Sequence, residues 1–333
     1  PRRGIAPVLV LVVVLVVAGA SIAATAAYLE ISQSSSPGGG PGTVQLVDDY
    51  GRTVSAPSDA GRVVVLGPNL VDTMVRLGLR GDLVGVDCSS ASYGGLLGDY
   101  TPNQTVEWGL TPAMCVQAFP SLDTEELLND SPQLILATSF VSESAVNEFS
   151  TTYHVPVVWL VPTSLDAIVT DVRIFGQLFP DATGAAALEG TLQSALARAT
   201  SALQNLTADP NASIPAVLLT YYVDPSAGYY SYGPGTFGNS LIVLAGGRSI
   251  AAGASVPYPV LPGSEVLADA PALVIYGSGP LGSPLSSYAQ GPDWGQLTSN
   301  KVALDVTLFT EADPTMILVG LPAMTNAIHP AAA

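Results

Sequence analysis

Basic residues are scarce in this chain: 10 Lys and Arg stand against 27 Asp and Glu, a net charge of −17, and Lys301 is the only lysine. So acidic a surface repels phosphate backbones, which argues against nucleic acid as a partner. Histidine is scarcer still, with two in 333 residues. His154 opens the apolar run "HVPVVWL" and reads as a strand-edge residue, and His329 lies near the C-terminal end. Neither has a Cys, Asp or second His at metal-ligand spacing, so no dedicated metal site is expected. The sequences G-x-S-x-G, H-E-x-x-H and Walker A are all absent, and no catalytic residues are assigned. One glycine motif, "GPGTFG" at Gly233–Gly238, fits G-x-G-x-x-G. It lacks the acidic residue about 20 positions on that a dinucleotide site needs, and Pro234 interrupts its turn. It reads as a loop entering a helix, and no cofactor is expected.

Charge is absent longest at the start. Arg2 and Arg3 are followed by an uncharged run that ends at Glu30. A bilayer core takes roughly 20 apolar residues as helix, against about 7–15 for a signal-peptide core. Residues 1–30 therefore read as a transmembrane anchor with its arginines on the cytoplasmic side. Ala24-Thr25-Ala26 keeps a cleaved signal segment as the alternative. Residues 31–43, centred on "SQSSSPGGGPGT", form a Ser/Gly/Pro tether. The chain from residue 44 onward is expected on the extracytoplasmic face of the membrane. Cys88 and Cys115, the only cysteines, are then a disulfide candidate, with two unpaired small hydrophobes as the alternative reading. N-x-S/T triplets at Asn103, Asn205 and Asn211 permit glycosylation.

At 333 residues the chain exceeds what one core usually serves. Beyond the tether the pattern is α/β. "RVVVLG", "DLVGVD", "PQLILA" and "VPVVWLV" read as strands, with "LVDTMVRLGL", "DTEELLND" and Glu143–Tyr153 as helices between them. Strands alternating with helices indicate a parallel sheet with covered faces. Strand signals stop from Ser164 to Leu206, where an amphipathic helix precedes a long Ala-rich one. The theme then repeats in "PAVLLTYYV", "NSLIVLAGG", "SEVLAD", "PALVIYG", "KVALDVTLF" and a closing helix with Pro314 in its first turn. The fold class expected is α/β: two similar Rossmann-like lobes joined by a long rigid helix, preceded by the transmembrane segment and tether. The boundaries are 44–182 for the N-terminal lobe, 183–207 for the connecting helix and 208–333 for the C-terminal lobe.

One sentence of sequence is written twice. "FPSLDTEELLNDSPQLIL" from Phe119 and "YPVLPGSEVLADAPALVI" from Tyr258 align without a gap, sharing Pro, Leu, Glu, Leu, Asp, Pro and Leu. The repeat predicts the same loop–helix–strand unit in both lobes, related by an approximate two-fold, with Glu126 and Glu265 equivalent. Aromatics also cluster. Tyr221 and Tyr222 lie in a strand, and Tyr229, Tyr230 and Tyr232 in what reads as a Gly/Pro/Ser loop. Tyr is a low-entropy, amphipathic contact residue, so this loop suggests a wall for a large, flat, partly apolar ligand. Trp294 in "GPDWGQL" either joins that wall or caps the core.

The stretch "VQLVDDYGRTVSAP…GRVVVLGPNLVDTMVRLGLRGDLVGVD" resembles the opening of the helical-backbone (class III) substrate-binding proteins of ABC importers, of the cobalamin and ferric-siderophore type. The resemblance runs from about Val44 to Pro330. Its most specific part, "YYVDPSAGYYSYGPGTFGNSLIVLAGGRSIAAGASVPYP", is similar to the cobalamin-binding branch. It implies a monomer that captures a corrinoid between two lobes and delivers it to a permease dimer. Ferric-siderophore or haem binding, or a surface receptor uncoupled from transport, are the alternatives. Ligand-binding positions implied or suggested are Pro68, Asn69, Tyr93, Phe119, Thr138, Tyr229, Tyr230, Tyr232, Tyr258 and Trp294. Thr138 stands where the cobalamin branch carries another aromatic. The family's permease-docking glutamates fall on Glu125 and Ser264, each one residue before Glu126 and Glu265 of the internal repeat.

Overall fold

In the computed structural model of the chain, the described residues are 42–89, 100–119, 121–139, 141–180 and 184–330. The expected anchor at 1–30, nearly all of the tether and Tyr93 lie outside them. No helix among the described residues is long and apolar enough to cross a membrane.

A hairpin of β1 (Thr43–Val47) and β2 (Thr53–Pro57) leads into a five-stranded sheet. Its strands are β3 (Val63–Leu66), β4 (Leu83–Ser89), β5 (Cys115–Phe119), β6 (Leu134–Ala137) and β7 (Val157–Trp159), all parallel, in the order β5-β4-β3-β6-β7. Reversal of strand order on either side of β3 makes a Rossmann-type switch point. All four residues of β3 are buried, as a strand covered on both faces must be. Val63 and Val65 enter one core cluster and Val64 and Leu66 another, with the two-residue period of a strand. The helices are α1 (Pro68–Arg76), α2 (Pro102–Glu107), α3 (Thr124–Asn129) and α4 (Glu143–Tyr153). Asp123 caps α3, its Oδ1 accepting the N–H groups of Glu125 and Glu126. An N-cap of this kind stabilises a helix by about 1 kcal/mol. Cys88 and Cys115 form a disulfide that staples β4 to β5.

Two antiparallel helices, α5 (Leu165–Leu178) and α6 (Ala185–Ala208), link the halves. Leu165, Ile168, Val169 and Val172 of α5 enter a core cluster of the second half, while Ile174, Phe175 and Leu178 enter the first. Leu188 of α6 packs against both clusters. The connector is thus a helix pair, where sequence periodicity had suggested α6 alone. Amphipathic spacing in α5 reveals a buried face but not that its two ends face different cores. Arg173 and Glu189 bridge the pair at 2.5 Å. Gly176 permits the close approach, since a Cβ there would lie 3.0 Å from the methyl of Ala185.

In the second half, β8 (Ala216–Asp224), β9 (Gly228–Ser231), β10 (Arg248–Ser249), β11 (Val260–Leu261), β12 (Leu273–Ser278) and β13 (Asn300–Asp305) form one sheet. The path is β11-β9-β8-β12-β13, with β10 on β8. Strands β8, β10, β12 and β13 are parallel, and β9 is antiparallel to both β8 and β11. Helices α7 (Phe237–Leu244), α8 (Gly263–Asp269), α9 (Leu285–Tyr288), α10 (Thr307–Thr310) and α11 (Leu321–Ile328) surround it. The chain enters α11 through a π-helical stretch, Met316–Gly320. Pro322 lies just beyond, and a proline that offers no N–H and crowds the preceding turn favours such a widening. The duplicated sequence gives α3 then β6 in one half and α8 then β12 in the other.

Candidate functional site

A cleft between the two halves is walled on its first-lobe side by residues at or after the carboxyl ends of strands, where open α/β sheets bind their ligands. From the first lobe come Pro68 and Asn69 after β3, Asp87 and Cys88 at the end of β4, Phe119 ending β5, and Thr138 after β6. Val161 and Thr163 follow β7. From the second lobe come Thr236 and Phe237 at the start of α7, Tyr258 before β11, Leu281 after β12, and Thr310 to Ala312 beyond β13. The cleft holds about 770 Å³.

Phe119 and Tyr258, the heads of the two duplicated stretches, face it from opposite lobes and are 45 % and 57 % exposed. Tyr258 is held from behind. Its ring meets Tyr232 edge-on at 5.9 Å and Tyr221 at 6.4 Å, and Tyr232 rests on Phe309 at 5.8 Å. Backbone bonds from Gly233 N–H to Pro257 O (2.7 Å) and Ser231 N–H to Pro259 O (2.9 Å) fix the loop that carries it. Thr138 is buried in the cleft wall, with its methyl against Gly67. Asn69 donates to Ala312 O across the lobes at 3.4 Å.

The structure brings together Pro68, Asn69, Phe119, Thr138 and Tyr258. The other aromatics lie elsewhere. Tyr229, Tyr230 and Tyr232 belong to or follow strand β9, not a loop, because "DPSAG" closes a hairpin that returns the chain onto β8. Tyr229 and Trp294 are buried in the core of the second lobe at 6.1 Å from each other. The Tyr229 hydroxyl donates to Pro292 O at 2.9 Å, and burial together with nearby Asp293 pushes its pKa up to about 12. Tyr232 is the buried layer behind Tyr258, and burial raises its pKa well above the usual phenol value. Tyr230 meets Tyr222 edge-on at 5.3 Å, away from the cleft lining. Tyr229, Tyr230, Tyr232 and Trp294 thus lie outside the cleft lining; of the two readings of Trp294 the structure has the core cap, and for the tyrosines the signal was the alternation along β9.

Sequence reasoning missed Asp87 and Glu311. The signal for Asp87 was its place at the end of a parallel strand. Glu311 had none, since it reaches the cleft from a loop past a short helix. Burial pushes its carboxyl up to about 8, with Asp72, Asp305 and Asp87 contributing. The same burial raises Asp72 and Asp313. Asp72 holds Arg76 at 2.7 Å and accepts from Thr315 of the other lobe at 3.1 Å. Among the described residues no group of three or more His, Cys, Asp or Glu could hold a metal ion.

Of the glutamates on the outer helices, Glu126 is engaged: its Oε2 accepts the backbone N–H of Gln117 at 2.8 Å, tying α3 to β5. Glu125, Ser264 and Glu265 are exposed in the first turns of α3 and α8.

Two α/β lobes on a helical connector, with a mostly apolar cleft walled by both, define a bilobal ligand-binding protein. The chain belongs to the periplasmic binding protein family, which it matches over residues 63–294. That family consists of binding proteins, not enzymes; its members take small ligands and dock on ABC permeases. A cobalamin-binding protein of Halobacterium salinarum is 26% identical over 293 residues, covering 85% of this chain and 73% of its own. Among solved structures, the vitamin B12 binding protein of Vibrio cholerae superposes with a TM-score of 0.62 at 17% identity, over 83% of this chain and 99% of that one. A haem-binding protein of Roseiflexus gives 0.61 at 23% identity, over 82% and 99%. At these identities the superpositions speak for the fold.

Proposed function

We propose that this chain is the extracytoplasmic corrinoid-binding component of an ABC importer, tethered to the membrane by residues 1–43. The observation that carries this reading is the cleft itself. An aromatic from each lobe faces a volume of about 770 Å³, and among the described residues no basic side chain lines it. Haem and most ferric chelates present carboxylates or other anionic groups that want a cation, whereas a corrinoid offers a large flat ring edged with neutral carboxamides. The cobalamin-binding relatives point the same way. Titration of the full chain with cyanocobalamin, followed by corrin absorbance, tests it. Micromolar or tighter binding is expected, weakened about tenfold by Tyr258→Ala or Phe119→Ala, in line with 1–2 kcal/mol for one aromatic contact. Binding of haemin in preference to cyanocobalamin would overturn it.

Delivery is proposed to run through Glu125 and Glu265. Of the adjacent pair on α3, Glu126 is committed to Gln117, which leaves Glu125 to face a partner. Glu265 is the exposed carboxylate of the matching helix. Two carboxylates on pseudo-equivalent helices suit a two-fold permease, and such rim charges steer and register docking more than they tighten it.

A further inference from the structure

A carboxyl group is buried in the connector itself. Asp171 lies in the middle of α5, between Ile168 and Val169, which enter a core of the second lobe, and Ile174 and Phe175, which enter the first. It is 4 % exposed, and its Oδ1 has no hydrogen-bond partner among the described residues. Its side chain bonds that of Asp49, on the turn between β1 and β2. Two carboxyl groups hydrogen-bond to each other only with a proton between them, and two ionised ones repel. Asp49 is exposed, so it carries the charge, and Asp171, the buried member, holds the proton and donates it. Burial, with the charge of Asp49 adding to it, raises the Asp171 carboxyl well above the usual carboxylate range. From Asp49 the contacts run on to the cleft. Its Oδ2 accepts the Val161 N–H at 2.6 Å, and its own N–H donates to Trp159 O at 3.0 Å. Val161, Pro162 and Thr163 join β7 to α5, and all three line the cleft. Among the described residues no other hydrogen bond holds the backbone of that stretch.

We propose that Asp171 and Asp49 are positioning residues of the cleft: the proton they share ties α5 to the β1–β2 turn and, through the Asp49–Val161 bond, holds the Val161–Thr163 wall in place. Losing that proton sets two carboxylates against each other behind the wall and releases it. The charged groups on the elements packed around the pair do not relieve this repulsion. Arg52 of the hairpin is engaged by Asp48 at 2.6 Å and by Asn147, and Arg173 of α5 by Glu189 of α6. Asp48, Asp166 of α5 and Glu143 of α4 add negative charge. The folded carboxyl of Asp171 lies above its unfolded value. Its contribution is therefore present in full below the unfolded value and lost as pH rises through the raised one. The wall is firm in acid and loosens in alkali, whatever ligand the cleft takes.

Hydrogen–deuterium exchange of the full chain without ligand tests this, read on the backbone amides of residues 160–164 at pH 6 and pH 9 and corrected for intrinsic exchange. In the native chain, protection of the Val161 amide should fall by about tenfold or more at pH 9, the loss of one hydrogen bond to a charged acceptor, while the amides of β3 stay protected. Asp171→Asn keeps a donor toward Asp49 with nothing to ionise, so it should retain the pH 6 protection at both values. Asp49→Ala removes the acceptor and should lose protection at both. Equal native protection at pH 6 and pH 9 overturns the proposal. So does an Asp171→Asn chain that shows the native fall, or an Asp49→Ala chain as protected at Val161 as the native one. Failure of cyanocobalamin to bind would overturn the corrinoid reading and leave this inference standing.

Discussion

Tyr258 is the most exposed large side chain on the cleft, yet its ring is braced by Tyr221 and Tyr232 and its loop by two backbone bonds to β9 and the residues just after it. That bracing makes it a pre-positioned contact, so Tyr258→Phe is expected to bind corrinoid nearly as well as the native chain while Tyr258→Ala loses about tenfold. Equal loss in both would mean that the hydroxyl, not the ring, makes the contact. Glu311 gives a second prediction, on stability. Its folded pKa, about 8, lies above the ordinary glutamate value near 4.5, so the folded state binds its proton more tightly than the unfolded chain does. The resulting stabilisation is fully present below the unfolded value and is lost as pH rises through about 8. Asp72 and Asp313 act in the same direction. The native chain should therefore melt lower at pH 9 than at pH 6, and Glu311→Gln should narrow that gap. A gap unchanged by the substitution would show that overall charge repulsion alone sets the trend.

At the scale of single elements, α3 carries two neighbouring glutamates in different surroundings, Glu126 bonded to Gln117 and Glu125 exposed, the one proposed to dock the permease. Glu126→Ala removes the acceptor for Gln117 N–H, a loss of about 0.5–1.5 kcal/mol, and should lower Tm by about 2–4 °C. Glu125→Ala should leave Tm within about 1 °C and lower ligand uptake in cells instead. Reversed effects would exchange their roles. The disulfide between β4 and β5 closes a loop of 27 residues, worth about 3–4 kcal/mol by chain entropy. Replacing both cysteines with serine should cost that much in urea unfolding, and an unchanged midpoint would contradict it. Elements whose burial repeats with a fixed period were legible in the sequence: β3, β6, α1 and α4 follow their apolar patterns, and Asp123 caps α3 as its position suggests. Phe119 and Tyr258 were legible because the repeat marks equivalent places in two lobes. The strand β9 was not, since its tyrosines are shared with the turn chemistry around them. Nor was Glu311, whose burial depends on contacts from α1, α2 and β4, far away in the chain.

For the whole molecule, the helix pair α5–α6 matters more than either lobe. With α5 buried at one end in each core and bridged to α6, the lobes are held at a nearly fixed spacing. Ligand binding should then move them little, with the radius of gyration in solution scattering changing by less than about 1 Å on saturation. A larger contraction would mean that the connector bends. The net charge of −17 favours approach to a basic partner over any anionic one. The proposed cargo of this frame is a corrinoid held in the cleft between the lobes. The most direct measurement is a titration of the full chain with cyanocobalamin beside the Tyr258→Ala variant. Saturable binding at micromolar or lower concentration, weakened about tenfold by the substitution, is the predicted result. Absence of binding, or binding untouched by the loss of Tyr258, would contradict it.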